Sequence, residues 1–547
     1  MRTLHLFLIA ITFSAATVVR AAEIDRPNIL WITSEDNAAH WLGCYGNTQA
    51  ATPRLDALAA GGLKFTRAYS NAPVCAVARS TILNGAYAVT MGTQHMRSRP
   101  VIPASFKPYV SYLREAGYHC TNNSKTDYNF KGDDAAIWDA CSGKAHYKNR
   151  PAGKPFMAVF NLTITHESNL FPQKVKMNRR QGFIPKQTRL KPADIVLPPC
   201  QPELPEFRED SAIYHDCLSA MDSQVGKLLD ELKELGLADD TIVFYYADHG
   251  GAMARGKRYL QDTGTRVPLI IHVPEKWKHL APFKSGSPVD EMVGFVDFAP
   301  TLLSLVGIKT PPQMQGRAFL GGHRAAAKPD VFLFADRFDD RFDETANMRR
   351  GISDGRFKYI RCFKPHLPAA PLTNYQLDQP SWQAWQKAWQ KGSLTGIQKS
   401  LWEPGQPVEQ LFDLAADPWE ITNLAASPEH AGRLATMRAR LKQLMIETRD
   451  TGVIPETMWP EIARETPIHD VVRGDEIDHA KLVGLAFQAS TPGETMPAAF
   501  TSASAPERYW AALSCLIHGH RDERLKPLLD DPSDAVRQVA RRALTAN

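Results

Sequence analysis

Three compact apolar runs, each followed at once by polar residues, constrain the fold of this chain more than any other feature. They span residues 28–33 (NILWIT), 156–162 (FMAVFNL) and 241–247 (TIVFYYA). Short apolar runs rich in β-branched and aromatic residues are typical of strands buried on both faces. Apolar residues at helical spacing over 213–235 separate the second run from the third. We therefore predict an α/β fold in which helices sandwich a large mixed or parallel sheet.

The residues that follow these runs are candidates for a functional site. They are Glu35 and Asp36 after the first run, His166 after the second, and Asp248 and His249 after the third. Open α/β sheets bind ligands at the carboxyl ends of their strands, so these side chains should meet. Carboxylates with an imidazole partner suit Ca²⁺ or Mg²⁺, whereas a zinc site would want more histidine or cysteine.

Three basic residues accompany this acidic set, namely Arg79, Lys125 and Lys257. They would repel a metal ion unless the substrate were itself a multiply charged oxyanion. The residues alone therefore predict a cation-assisted site for sulfate or phosphate. Cys75 precedes Arg79 by four residues, and taken alone it fits a small buried apolar side chain better than a reactive one.

Composition and pattern divide the chain into four predicted parts. A turn at Asp354-Gly355 between β-prone runs predicts a hairpin in a small C-terminal sheet, and two short amphipathic segments at the end resemble one unit of a HEAT-like helical repeat. The predicted parts are a signal peptide at 1–22, an N-terminal domain with the candidate site at 23–345, an α+β subdomain with a small sheet at 346–460, and a helical HEAT-like tail at 461–547.

The N-terminus predicts export. A basic start and the apolar stretch 4–19 are typical of a cleaved secretory signal, with an N-terminal membrane anchor as the alternative. No later segment is apolar enough to cross a bilayer, so we expect a periplasmic or secreted protein without a membrane span. Cys120 with Cys141, and Cys200 with Cys217, are candidate disulfides that the sequence leaves open. A net charge of +5 is small for 547 residues and does not favour nucleic acid.

In this company, residues 75–79 (CAVAR) resemble the C-x-(P/A)-x-R maturation motif of the formylglycine-dependent sulfatases, which belong to the alkaline phosphatase superfamily. The resemblance runs from about Arg26 to Ala425, with the motifs in matching order and spacing. It implies an alkaline phosphatase-like fold, a catalytic sulfatase domain at 23–345, and a sulfuric ester hydrolase of the EC 3.1.6 type. It also implies that a formylglycine-generating enzyme oxidises Cys75 to 3-oxoalanine (formylglycine), whose hydrate Arg79 steadies.

The same resemblance assigns roles to the other candidates. The hydrate at position 75 attacks sulfur, Lys125 and Lys257 neutralise the sulfate oxygens, and His166 or Lys257 protonates the leaving sugar oxygen. His95 and Arg97 are candidate contacts to an anionic sugar, with a surface turn as the alternative interpretation. The implied ligands of a Ca²⁺ ion, or of Mg²⁺ in its place, are Glu35, Asp36, Cys75 as formylglycine, Asp248 and His249.

Three positions depart from the family pattern. Val77 lies where the maturation motif has Pro or Ala, which bears on recognition by the maturation enzyme. Glu35 replaces the commoner Asp, which the flexible shell of Ca²⁺ accepts. Asp127 falls where most relatives have a histidine, so the acid and base work is expected to fall on His166 and the lysines.

Residues 365–407, rich in Trp, Gln and Pro, show no clean period and predict an insertion or long loop, either walling a pocket or lying on the surface. Large aromatic side chains could stack on sugar rings, although they more often pack in a core. These candidates are Trp31, Trp41, Trp382, Trp385 and Trp389.

The sequence favours a sulfated oligosaccharide or polysaccharide as substrate, with exo action preferred. The segments SEDN, THES and HMRS look most like bacterial relatives of heparan N-sulfatase and of sulfatases that act on marine polysaccharides, so an N-sulfoglucosamine sulfohydrolase-like activity is included. Two other functions stay open. One is a phosphoester hydrolase of the same superfamily, and the other is a catalytically inactive protein that binds sulfated glycans.

Overall fold

A computed structural model describes residues 25–337, 347–370, 373–494 and 496–545. The predicted signal peptide at 1–22 lies outside these residues. The strands are β1 Asn28–Ser34, β2 Leu63–Phe65, β3 Ala68–Tyr69, β4 His119–Asn123, β5 Ala140–Cys141, β6 Phe156–Leu162, β7 Thr241–Ala247, β8 Leu269–His272, β9 Pro288–Val289, β10 Val293–Gly294, β11 Val331–Ala335, β12 Arg349–Ser353, β13 Phe357–Cys362 and β14 Glu409–Asp413.

The helices are α1 Pro53–Gly61, α2 Cys75–Asn84, α3 Ala88–Met91, α4 Tyr109–Glu115, α5 Pro172–Gln181, α6 Pro205–Glu234, α7 Asp262–Thr265, α8 Phe298–Leu305, α9 Pro380–Gln390, α10 Gly396–Ser400, α11 Ala431–Glu447, α12 Trp459–Ile462, α13 Ile468–Val471, α14 His479–Ser490, α15 Ala505–His518 and α16 Asp534–Thr545. None of the helices in the described part of the chain is both long and apolar enough to cross a bilayer.

An eight-stranded sheet in the order β5-β4-β6-β1-β7-β8-β2-β9 forms the centre of the molecule. The first five strands run parallel, and β8 joins β7 antiparallel. Every residue of β1 and β7 is buried, because helices cover both faces. Leu30 and Ile32 face the core beneath α6, whereas Ile29 and Trp31 face the core beneath α4 and α8. The predicted α/β sandwich is confirmed.

The smaller C-terminal sheet is antiparallel, in the order β11-β12-β13-β14. The predicted hairpin joins β12 to β13, and Gly355 at its turn has a φ of 86°, a conformation that favours glycine. Beyond this sheet, α14, α15 and α16 form the helical tail. Trp510 of α15 is buried and its indole N–H donates to the Val453 carbonyl at 2.8 Å. The tail therefore docks on the body of the protein.

The interpretation of residues 365–407 as a long loop was wrong. The segment contains α9 and α10, and α9 packs on α6. Trp382 and Trp385 are buried and stack on each other with ring centroids 5.4 Å apart.

The tryptophans proposed to stack on sugars pack inside the protein. Trp389 stacks on Trp402 with ring centroids 5.8 Å apart. Trp31 lies in the sheet core, and Trp41 packs edge-on against Tyr214 at 4.8 Å.

Neither candidate disulfide is formed, since all eight cysteines are free thiols. In the first candidate pair, Cys141 of β5 lies opposite Asn122 of β4 instead of opposite Cys120. Its sulfur accepts a hydrogen bond from the Asn122 side chain at 3.4 Å. The strand register therefore keeps the two sulfurs apart.

Candidate active site

The carboxyl ends of β6, β1 and β7 are adjacent in the sheet, so the polar residues that follow these strands converge. Asp36 has a φ of 46°, a left-handed conformation that aspartate tolerates better than most residues. Two contacts hold this turn. The Asp36 N–H donates to Asp248 Oδ1 at 3.2 Å, and its carbonyl accepts from the Tyr214 hydroxyl.

Cys75 is the first residue of α2, a ten-residue helix in which every residue is buried. Cys75 itself is 1% exposed. The N–H groups at a helix N-terminus favour a negative charge, so an anionic group at position 75 would be stabilised there. Cys75 contributes to the pKa shifts of both Asp127 and His249, so its thiol lies near the acidic centre and near the lysine side of the site.

A buried cluster of two carboxylates and one imidazole lies beside Cys75. His249 Nε2 is 3.0 Å from Asp36 Oδ1 and 3.7 Å from Asp248 Oδ1. Burial would lower the pKa of His249, but the charges of Asp248 and Asp36 outweigh it and raise that pKa to about 10. The ligand atoms of the three residues lie within 4.8 Å of one another, so this donor set fits one divalent cation.

Glu35, the fourth expected protein ligand, is oriented toward cations. Its Oε1 lies 2.6 Å from Lys125 Nζ and 3.1 Å from Arg79 Nη2. The same Arg79 nitrogen is 3.2 Å from Asp248 Oδ2, so the arginine joins the two acidic residues. Burial opposes the charge of Lys125, but the neighbouring Cys75 and Glu35 raise its pKa and keep the lysine protonated.

Lys257 contacts two other carboxylates, those of Asp36 and Glu167. Its Nζ lies 3.1 Å from Asp36 Oδ2 and 2.9 Å from Glu167 Oε1. Although burial disfavours its charge, Asp36 and Glu167 raise the pKa of this lysine well above its ordinary value. His166 stands next to this lysine. Its Nε2 is 3.4 Å from Lys257 Nζ and 3.9 Å from Glu35 Oε2. Burial and Lys257 lower the pKa of His166, so its imidazole is neutral and can accept a proton.

The structure thus brings nine of the eleven predicted residues into one site, places Arg97 at its edge and directs His95 toward the C-terminal part of the chain. Arg97 donates to Asp127 Oδ1 at 3.2 Å, and Asp127 lies 3.9 Å from Lys125. Burial acts against ionisation of Asp127, but Lys125 and Arg97 lower its pKa to about 2. His95 is not in a surface turn. It is 3% exposed and faces Glu456, 3.6 Å away in the C-terminal part of the chain.

Three further residues contact the site and were not predicted. Glu167 accepts two hydrogen bonds from Arg258, at 2.7 and 2.9 Å, and thereby positions Lys257. Asn161 accepts from Arg79 Nη1 at 2.6 Å. Their signals were present in the sequence. Glu167 and Arg258 directly follow predicted residues, and Asn161 is a polar residue inside an otherwise apolar strand.

Comparisons with known proteins agree with this arrangement. The family model described as Sulfatase matches residues 27–150 and 119–308, and the one described as N-sulphoglucosamine sulphohydrolase, C-terminal, matches residues 254–403. An ulvan-active sulfatase from Formosa agariphila is 35% identical over 470 residues, which cover 79% of this chain and 77% of that protein.

Two more distant proteins share most of this length. Human N-sulphoglucosamine sulphohydrolase is 24% identical over 81% of this chain and 96% of its own. A solved structure of a 2-O GAG sulfatase superposes with a TM-score of 0.57 at 19% identity, covering 78% of this chain and 93% of that chain. At that identity the superposition bears on the fold alone, and it supports the sheet and helix layers described above.

Proposed function

The chain belongs to the sulfatase family, and from this premise we propose that it removes sulfate from a sulfated carbohydrate with a formylglycine at position 75 and a divalent cation. Family membership makes it a sulfuric ester hydrolase. One observation supports the finer proposal most. Three cations, Arg79, Lys125 and Lys257, surround a cysteine at a helix N-terminus together with a cation-binding donor set.

The proposed cation is Ca²⁺, with Mg²⁺ as the alternative. Asp36, Asp248 and His249 would hold it, with Glu35 and the oxidised residue 75 completing the shell. When bound, it supplies positive charge that polarises the sulfate oxygens. Formylglycine supplies a hydrated aldehyde as nucleophile, which an unmodified thiol cannot replace.

The remaining steps fall to side chains of this chain. Lys125 and Lys257 lie on opposite sides of the acidic centre, so they can bind two different oxygens of one sulfate group. Arg79 links Glu35 to Asp248 and keeps both carboxylates oriented. His166 is neutral and adjoins Lys257, so it can pass a proton between the lysine and the departing sugar oxygen.

The proposed substrate is a sulfated oligosaccharide or polysaccharide fragment. Two of the relatives are named for their substrates, one for ulvan and the other for N-sulphoglucosamine. Both sulfate esters and N-sulfates are therefore proposed for this chain. We further propose export to the periplasm or beyond, and maturation by a formylglycine-generating enzyme.

Mass analysis of the proteolytic peptide that contains position 75 tests the nucleophile, and sulfate release tests the reaction. Heparin disaccharides, ulvan, carrageenan and fucoidan fragments form the panel. We expect formylglycine in the peptide and sulfate release on at least one panel member, with a loss of about 1,000-fold or more in the Cys75→Ser variant. Phosphate release by chain that retains Cys75 would favour the phosphoester hydrolase instead.

The cation is tested by thermal unfolding, which does not depend on turnover. Ca²⁺ should raise the Tm of the wild-type protein, because a ligand that binds only the folded state stabilises it. Asp248→Asn should lose most of this shift. Asp230→Asn, an exposed acid on α6, is the control and should keep it.

A further inference from the structure

A cavity of about 240 Å³ lies between the segment that follows α3, the C-terminal sheet and the helical tail. Its lining includes His95, Lys364, His366, Glu456 and Arg542. We propose that this cavity is a second anion subsite, which binds the sulfate or carboxylate of a sugar next to the one that carries the sulfate to be removed. The inference rests on the proposed function, because it takes the substrate to be a sulfated carbohydrate.

The charges in the lining favour an anion. The two carboxylates of the lining, Glu456 and Asp336, are each paired with an arginine. Glu456 receives two hydrogen bonds from Arg337, at 2.8 and 2.9 Å, and Asp336 lies 2.9 Å from Arg350. Among the described residues, no carboxylate lies within ion-pair distance of the Lys364 ammonium.

Arg542 is the second unpaired cation. It is an exposed residue of α16, and within the described chain its guanidinium likewise has no acidic partner. A lysine and an arginine that face one cavity attract sulfate or carboxylate oxygens, which they can bind by charge-assisted hydrogen bonds.

Two imidazoles of the lining supply hydrogen-bonding groups without partners among the described residues. His95 is 3% exposed, and neither of its ring nitrogens has a hydrogen-bond partner among the described residues. The 3.6 Å separation from Glu456 is too long for a hydrogen bond. His366 Nδ1 is also buried without a partner in that part of the chain. Buried polar atoms are nearly always paired in folded proteins, so these atoms point to a ligand that completes them.

The protonation of the two imidazoles agrees with this role. Burial lowers the pKa of His95, and burial with the charges of Lys364 and Arg542 lowers that of His366 to about 4. Each neutral ring therefore carries one N–H that can donate to an anion's oxygen.

The segment that follows His95 links the lining of the cavity to the candidate active site. Arg97 is two residues from His95, so their Cα atoms are at most about 7 Å apart. Arg97 in turn contacts Asp127, which neighbours Lys125. The proposed subsite therefore lies on the Arg97 side of the candidate active site. The volume is just below the lower end for ligand pockets, about 300 Å³, and so fits one sugar-sized group.

The mouth of the cavity lies on the tail. Gln538 and Arg542 are exposed and line it from α16. Arg541 is the neighbouring residue on the same helix, is also exposed and is absent from the lining. The two arginines therefore form a matched pair for a test, since neither substitution disturbs a core.

The experiment measures binding of ulvan and heparin tetrasaccharides by isothermal titration calorimetry. All variants carry Cys75→Ser in the full-length chain, so that the ligand is not consumed. We expect Arg542→Ala and Lys364→Ala each to raise the Kd about tenfold for at least one of these ligands. Arg541→Ala should change it less than twofold.

Chemically desulfated and carboxyl-reduced forms of the bound tetrasaccharide then identify the anion. The form that binds equally to the Cys75→Ser chain and to the same chain with Arg542→Ala has lost the group that the cavity recognises. Sulfate release by the wild-type chain separates this inference from the proposed function. Arg542-dependent binding without any sulfate release would leave the subsite standing and overturn the hydrolase. Sulfate release with equal Kd values for the Arg541 and Arg542 variants would overturn the subsite alone, and absence of binding would overturn it as well.

Discussion

Val77 is the residue at which this chain departs from the proposed maturation motif, and its side chain packs in the core. It is the third residue of α2 and is 1% exposed within the core that α2 shares with the C-terminal part of the chain. A valine here buries more apolar surface than the alanine of the motif. Packing therefore favours valine at this position, whereas the proposed maturation motif has Pro or Ala there.

We predict that Val77→Ala raises the fraction of chains that carry formylglycine and lowers stability by about 2 kcal/mol, the value expected for two lost buried methyl groups. Mass analysis of the peptide after co-expression with a formylglycine-generating enzyme measures the first effect, and chemical denaturation the second. Val74→Ala is the control, since Val74 is also buried but lies outside the motif. An equal formylglycine fraction in all three proteins would contradict the prediction.

We predict that the free energy of unfolding depends on pH through Asp210, independently of the active site. This α6 carboxylate accepts a hydrogen bond from the Ser381 backbone at 2.9 Å, and burial raises its pKa to about 7. Between about pH 4 and pH 7 the folded state therefore keeps a proton that the unfolded state has lost. The free energy of unfolding should fall over this range by up to about 4 kcal/mol, and should then level off.

Asp210→Asn keeps the acceptor and removes the titration. Its free energy of unfolding, measured by chemical denaturation, should therefore exceed that of the wild type by more at pH 8 than at pH 5. Glu209→Gln is the control, because Glu209 is exposed and should show no such difference between the two pH values. A constant offset for Asp210→Asn across this pH range would mean that the carboxyl is not protonated in the folded state.

At the residue scale, the sequence predicted the groups that directly follow strands, because strand order alone brings them together. It could not predict that Lys257 pairs with both Asp36 and Glu167, since that pairing depends on how the segment after β7 folds back over β6. It also could not place His95, whose neighbour Glu456 is distant in sequence and meets it only through the tertiary fold.

Among the secondary structure elements, α9 was the one most clearly missed. Its tryptophans follow helical spacing at 382, 385 and 389, and Pro380 is at its first position. The signal was present, but the surrounding Gln and Pro obscured it. By contrast, β1, β6 and β7 were predicted almost to their observed ends, because a strand buried on both faces must be apolar throughout.

We predict that Trp385→Ala destabilises the protein by about 3–5 kcal/mol. Trp385 is fully buried, packs against Phe207 of α6 and donates from its indole N–H to the Gln398 carbonyl at 3.0 Å. Chemical denaturation measures the loss. Lys387→Ala, at an exposed position of the same helix, should change stability by less than about 0.5 kcal/mol. Similar values for both variants would show that α9 does not pack as described.

For the whole molecule, one shared apolar core crosses the predicted domain boundaries. One continuous apolar cluster contains Cys75 and Val77 of α2, the C-terminal sheet, and Ala543 of α16. The sequence predicted separate parts at 346–460 and 461–547, because strand-like and helical patterns follow one another there. Periodicity identifies elements and does not show which of them share a core.

We therefore predict one cooperative unfolding transition in calorimetry. Trp510→Ala should lower the Tm of that transition as a whole, because Trp510 is buried where the tail meets the body. Arg541→Ala, exposed on the same tail, should leave it unchanged. A separate early transition in the Trp510→Ala variant, with the main transition unmoved, would show that the tail unfolds independently.

The burial of Cys75 also limits the time during which an enzyme can oxidise its thiol. An enzyme that oxidises this thiol must reach it before α2 is covered, because only 1% of Cys75 is accessible in the folded chain. The core that contains Cys75 is completed by α16, which begins 459 residues later in the sequence. At a synthesis rate of about 5–20 residues per second, that interval is about 20–90 s. Under the proposed mechanism, a chain that folds with its thiol intact therefore stays inactive for its lifetime.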